Sequence, residues 1–197
     1  MRLLITGLLL FLGVHSIRML APAVRDRWRT RLGPGIWKGL YSLIALLGLA
    51  LIAWGFSVAR EHPVIIWMPT SPGMAVGLRH LATLFTVLAF ILFAAAYVPG
   101  NHLKARFGHP MVLGLKTWAF AHLLTTSMLV HLVLFGSFLL WAIAYYAITG
   151  RRDRKAGVVH RPGQWPATVL TVALGLVAWA IVVFGLHGLL IGIKPLG

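Results

Sequence analysis

From Thr117 to Thr149 the chain contains no Lys, Arg, Asp or Glu. Drawn as one helix, this stretch would reach ~50 Å at ~1.5 Å per residue, well beyond the ~30 Å hydrocarbon thickness of a bilayer. It must fold back on itself, and Thr125-Thr126-Ser127 supplies the polar turn. Residues 39–59 are also wholly uncharged, and residues 73–97 carry only Arg79. Inside a bilayer no water reaches backbone N–H and C=O groups, so segments of this length and polarity cross as helices. A water-soluble fold is excluded by the same measure, because 11% of the residues are charged against roughly a quarter in soluble domains.

Six spans follow from the apolar runs and their breakers. The first covers residues 3 to about 21. Ala21-Pro22-Ala23 imitates a leader cleavage site, but Arg18 precedes it, which favours a retained helix. The second covers residues 39–59 and ends at Arg60-Glu61-His62-Pro63. A Pro-rich interfacial loop, residues 63–72 with Trp67 as anchor, leads to a third span over residues 73–97, stopped by Val98-Pro99-Gly100. The fourth begins at Pro110, a favoured first helical position; the fifth covers about 128–148 and the sixth about 166–193. The expected architecture is an all-α, polytopic transmembrane bundle of about six helices, a single integral membrane domain over residues 1–197.

Eighteen Lys and Arg face three acids, Asp26, Glu61 and Asp153, for a net charge of +15. Such a balance can mark a nucleic-acid binder, but the positions argue otherwise. The basic residues sit in short connections: six in the first (Arg18, Arg25, Arg27, Arg29, Arg31, Lys38), two in the third (Lys104, Arg106) and five in the fifth (Arg151, Arg152, Arg154, Lys155, Arg161). The second connection holds Arg60 alone and the fourth none. The positive-inside rule then puts the odd connections in the cytoplasm of a bacterial inner membrane and both termini on the non-cytoplasmic side. Anionic lipid headgroups are the expected partners of these loops. Cysteine is absent, which excludes disulfides, thiolate catalysis and Cys-ligated metal or iron–sulfur sites; any metal must rely on histidine.

Nine histidines remain to be explained. His62, His102, His109 and His160 fall in connections or at helix ends, where the plain role is a solvated side chain. His15, His80, His122, His131 and His187 fall within spans. A lone intramembrane histidine is most often a neutral imidazole hydrogen-bonded across helices, whereas several at matching depth point to a shared centre. With Pro22 and Pro110 as cytoplasmic ends, His15 lies ~10 Å deep and His122 ~18 Å, while His80 enters ~10 Å from the opposite side. A six-coordinate haem takes two imidazole nitrogens on opposite porphyrin faces. Either His15 with His122 or His80 with His122 meets that need.

Charge supplies a second argument. Arg79 and Lys116 lie inside expected spans, Arg18 lies one turn from His15, and no acid falls within any span. Unpaired cations are costly to bury, so their anions would come from outside the polypeptide, and haem propionates would serve Arg18 or Lys116. Snorkelling to lipid phosphates is the plainer alternative, above all for Arg18. Leu115, Trp118, Ala119 and His122 share one helix face, offering a flat aromatic, a small gap and a ligand, or else an ordinary packing stripe.

The segment Pro99-Gly100-Asn101-His102, followed by Gly108-His109-Pro110-Met111-Val112-Leu113-Gly114-Leu115-Lys116-Thr117-Trp118-Ala119-Phe120-Ala121-His122-Leu123-Leu124, resembles the signature of the NnrU family. His15-Ser16 and the terminal Gly192-Ile193-Lys194-Pro195 extend the likeness over most of the chain. Such proteins are membrane proteins associated with denitrification and nitric-oxide metabolism, and they are similar to 15-cis-zeta-carotene isomerase, a haem-b enzyme. The resemblance implies that His15 and His122 match the isomerase's two haem ligands and that His109 matches a further functional histidine. Ala119 stands where that enzyme has a cysteine, so a thiol-linked ligand exchange is ruled out here. His109-Pro110 also resembles the His-Pro segment of isoprenylcysteine-type membrane methyltransferases, which bind S-adenosylmethionine, but the acidic motif those enzymes carry further on is missing.

The leading expectation is therefore a haem-b membrane protein with a redox, gas-sensing or isomerase role in nitrogen-oxide metabolism. Its expected site comprises His15 and His122 as iron ligands, with Arg18, Lys116, Trp118, His109 and His80 around the cofactor, and a redox partner or nitrogen-oxide reductase as associate. The alternative is a non-enzymatic accessory protein for assembly or expression of nitrogen-oxide reductases. A methyltransferase-like protein and a divalent-metal site rank below both, the latter because the spans lack carboxylates to neutralise a dication.

Overall fold

Proline opens most of the helices, at positions where its missing N–H costs no hydrogen bond. The computed structural model describes residues Met1–Leu196. Its helices are α1 (Arg2–Leu20), α2 (Pro22–Leu32), α3 (Pro34–Arg60), α4 (Pro72–Tyr97), α5 (His102–Phe107), α6 (Pro110–Leu124), α7 (Leu129–Lys155), α8 (Trp165–Ile181) and α9 (His187–Ile191), with a π-helical turn, Val182–Leu186, joining the last two. A proline occupies one of the first two positions of α2, α3, α4, α6 and α8. Gly33 (φ 80°) and Gly108 (φ 68°) separate α2 from α3 and α5 from α6 in a backbone region that L side chains avoid.

Among the described residues five helical stretches are long and apolar enough to cross a membrane: α1, α3, α4, α7 and the continuous Trp165–Ile191. Large aliphatic side chains lie bare along them, such as Leu9, Leu43, Leu46 and Leu140. An apolar exterior on this scale belongs against lipid. The chain is a multi-pass, all-helical membrane protein. The fourth expected span is α6, whose 15 residues reach ~22 Å, short of a full hydrocarbon thickness.

The helices divide into two compact units. The first comprises Met1–Met68 and Ser127–Trp141. In it α1 and α3 meet backbone to backbone: a Cβ on Gly7 would lie 2.6 Å from the Ile52 nitrogen, and one on Gly48 2.8 Å from the Phe11 nitrogen. A Cβ on Gly55 would collide with the backbone of Leu3 and Leu4, and Leu4 is fully buried. The loop before α4 pairs with the start of α7 through an antiparallel bridge between Ile65 and Met128. There the Ile66 N–H donates to Ser127 O at 2.8 Å and the Leu129 N–H to Val64 O at 2.9 Å.

The second unit comprises Pro69–Thr126 and the chain from Ala142 onward. Its α4 packs against α6 and α8, again through glycine. A Cβ on Gly114 would come within 2.8 Å of the Phe93 ring, and one on Gly175 within 2.6 Å of Ile91 Cα. Trp179 Nε1 donates to Thr86 Oγ1 at 3.1 Å. The buried Asn101 links two helix ends: its amide donates to the Ala95 and Val98 carbonyls, and its Oδ1 accepts from the Lys104 N–H at 2.7 Å. All three are groups that helix termini leave unsatisfied.

Several elements depart from the sequence reading. The turn at 125–127 and the loop at 63–72 stand where expected, between α6 and α7 and between α3 and α4. The helices, however, outrun the uncharged stretches. α3 starts before Lys38, α7 continues through Arg151-Arg152-Asp153-Arg154, and α2 and α5 form in connections read as loops. Charge limits how deep a residue sits in a bilayer, yet Arg and Lys are good helix formers.

Candidate functional site

In the first unit, His15 lies half-buried near the end of α1. Its Nδ1 is 2.6 Å from Phe11 O, one helical turn back. A carbonyl oxygen only accepts, so Nδ1 carries the proton, and a neutral imidazole then has its lone pair on Nε2. Aromatic rings surround it: Phe11 at 4.3 Å between centroids, Tyr41 edge-on at 5.3 Å and Trp141 edge-on at 6.4 Å. Trp141 Nε1 donates to Ser16 Oγ at 2.8 Å, and that hydroxyl donates to Leu12 O at 2.6 Å. These contacts fix the Trp141 ring beside the imidazole. The Arg18 side chain one turn on is exposed.

His122 occupies the last turn of α6 in the second unit. Its Nδ1 lies 2.9 Å from Trp118 O, so the same reasoning puts the lone pair on Nε2. The Trp118 ring is 4.8 Å from the imidazole, as the four-residue spacing requires, and Ala119 between them is fully buried.

His109 and Lys116 also belong to the second unit, where α7 supplies their neighbours. His109 Nε2 is 2.7 Å from Asp153 Oδ2, with both side chains roughly a third exposed (28% and 31%). The Tyr146 ring stands edge-on to His109 at 6.4 Å, and Lys116 Nζ lies 5.4 Å above that same ring. Lys116 therefore has the negative face of an aromatic where the sequence offers it no carboxylate. His80 lies exposed on α4.

Two further histidines have structural roles. His102 gives two hydrogen bonds to Thr168 Oγ1, from its backbone N–H at 3.0 Å and from Nδ1 at 2.8 Å, because that hydroxyl spends its own proton on Gln164 O. They tie the start of α8 to the start of α5. His187 Nδ1 is 2.7 Å from Ile193 O and closes the turn after α9.

Sequence reasoning passed over Tyr41, Trp141 and Tyr146, whose apolar surroundings give them no local signal, and Asp153, concealed among arginines. Among the described residues no three His, Asp or Glu side chains gather as metal ligands. At positions 15 and 122 alike a backbone carbonyl takes the Nδ1 proton, which fixes the tautomer and leaves Nε2 as the nitrogen that carries the lone pair. A family model described as NnrU protein matches residues 3–195, nearly the whole chain. No curated protein and no solved structure matches it.

Proposed function

The chain belongs to the NnrU family, and on that premise we propose that it is a haem-b protein of the bacterial cytoplasmic membrane, with His15 and His122 as the axial ligands. The observation that supports this reading most is the shared state of the two imidazoles, each bound to a backbone carbonyl through Nδ1. This is the arrangement that raises the basicity of a metal-ligating histidine and fixes its tautomer. Phe11, Tyr41 and Trp141 would keep water from His15, and Trp118 would brace His122. Arg18 or Lys116 would pair with the propionates. With both axial positions filled, the haem would supply one-electron transfer or a ligand-release switch, in the handling of nitrogen oxides.

The same reading takes α6 as a short sixth pass. If α6 did not cross, the basic connection at 21–38 and the one at 151–161 would face opposite sides of the membrane. With it, every Lys- or Arg-rich connection lies on the cytoplasmic side and both termini lie on the other.

The test is an absorption spectrum of the solubilised protein, expressed with ample haem. A Soret band is expected that disappears in His15→Ala and in His122→Ala and persists in His80→Ala. Stable, colourless parent protein refutes the reading, and loss of the band in His80→Ala with survival in His15→Ala moves the second ligand to His80.

A further inference from the structure

Helix α2 has a composition and a face that bilayer-crossing helices do not. Its sequence, PAVRDRWRTRL, places four arginines within 11 residues. At ~100° per residue, Val24, Trp28 and Leu32 align as one stripe. Arg31 and Arg25 fall about 60° to either side of Trp28, and Arg27 and Arg29 about 100° to either side. Val24 and Trp28 are bare, 48% and 46% exposed, with Leu32 half-buried; Arg27, Arg29 and Arg31 are exposed and Arg25 is half-buried. Asp26 and Thr30 lie around the other side, where Arg25 pairs with Asp26 at 2.7 Å. The helix therefore keeps a cationic excess beside its apolar stripe.

Connectivity locates this face. A single non-helical residue precedes α2, Ala21 (φ −136°, ψ 60°), and a single one follows it, Gly33 (φ 80°). The chain thus changes direction at both ends of α2, between α1 and α3, two helices long and apolar enough to span a bilayer. A short connector between consecutive spans sits at the bilayer surface. There an apolar stripe flanked by arginines matches the two layers it meets: acyl chains below, phosphates beside.

We infer that α2 is an in-plane membrane-surface helix that binds anionic phospholipid headgroups, Trp28 and Val24 dipping to the acyl boundary and Arg25, Arg27, Arg29 and Arg31 gripping phosphates. This assignment is independent of the haem reading. Each arginine near an anionic leaflet contributes a preference of about fivefold.

The chain has no cysteine, so one introduced thiol takes a fluorophore uniquely. Full-length Val24→Cys and Thr30→Cys proteins, each labelled with an environment-sensitive dye, are placed in nanodiscs of phosphatidylcholine with or without phosphatidylglycerol, and quenching by uncharged acrylamide is read. In the phosphatidylglycerol discs position 24 is shielded and position 30 open, with a severalfold smaller quenching constant at position 24. The contrast shrinks in pure phosphatidylcholine and in the R25Q/R27Q/R29Q/R31Q background. It is retained with lysine at the same four positions, which separates lost charge from lost folding. Equal quenching at 24 and 30 in the anionic discs, or an undiminished contrast without anionic lipid or without the arginines, overturns the assignment. Shielding of position 24 that instead rises with protein concentration in lipid-free detergent overturns it in favour of a second copy of the chain.

Discussion

Gly7 and Gly13 lie on the same helix and differ only in what faces them. Around Gly13 a Cβ would meet nothing within 4 Å. At Gly7 it would meet three backbone atoms of α3: Ile52 N at 2.6 Å, Gly48 O at 2.8 Å and Leu51 C at 2.9 Å. Ordinary carbon contacts stand at roughly 3.5–4.0 Å, and backbone cannot swing aside as a side chain can. Gly7→Ala must therefore push α1 and α3 apart by about 1 Å, a gap that forfeits a quarter to a half of each dispersion contact across it. Overpacking of this kind costs about 1–3 kcal/mol.

Replacing glycine by alanine in a helix also gains up to about 1 kcal/mol, but that gain is common to both variants and cancels between them. Equilibrium unfolding in lipid–detergent micelles should place Gly7→Ala about 1–3 kcal/mol below Gly13→Ala. Gly55→Ala, facing the Leu3 and Leu4 backbone, should behave like Gly7→Ala. If Gly7→Ala and Gly13→Ala agree to within about 0.5 kcal/mol, the close approach of α1 and α3 is wrong and so is the packing argument built on it.

Three other substitutions test the second unit. Asn101→Ala strips partners from the Ala95 and Val98 carbonyls and the Lys104 N–H and should cost about 1–3 kcal/mol by chemical denaturation; a neutral result would mean water replaces the amide. Thr168→Val removes the acceptor of both His102 donors, with a similar loss of about 1–3 kcal/mol and faster amide exchange at His102; unchanged exchange there would contradict the tie between α5 and α8. Asp153→Asn should cost at most about 1 kcal/mol, diminishing in high salt, since its pair with His109 is partly exposed. A double-mutant cycle with His109→Gln reads that coupling directly, and a zero coupling energy at low salt would deny the pair any role in stability.

Much of the helical order was legible because it rests on short-range properties. Hydropathy summed over some twenty residues marks what can cross a bilayer, and proline, glycine and the Thr125-Thr126-Ser127 break mark where helices begin and end. The limits of that reading are equally local. Arginine charges do not stop a helix, as the continuation of α7 through Arg151 and Arg152 demonstrates, so span boundaries and helix boundaries diverged. Within the candidate site, position in apolar runs singled out the imidazole at 122 together with either 15 or 80, and only the family resemblance pointed to 15. Their protonation followed only from the carbonyls of Phe11 and Trp118.

By itself the amino-acid order determined the approximate extent of the apolar helices, the absence of any thiol ligand and the cationic character of particular connections. Tertiary structure alone decided that Trp141 hydrogen-bonds Ser16 across 125 residues of chain, that Asp153 meets His109 across 44, and that a Cβ has room at Gly13 but none at Gly7. Helix propensity and hydropathy are sums over a residue's own neighbourhood, whereas contact depends on which atoms of a distant element occupy the adjoining space.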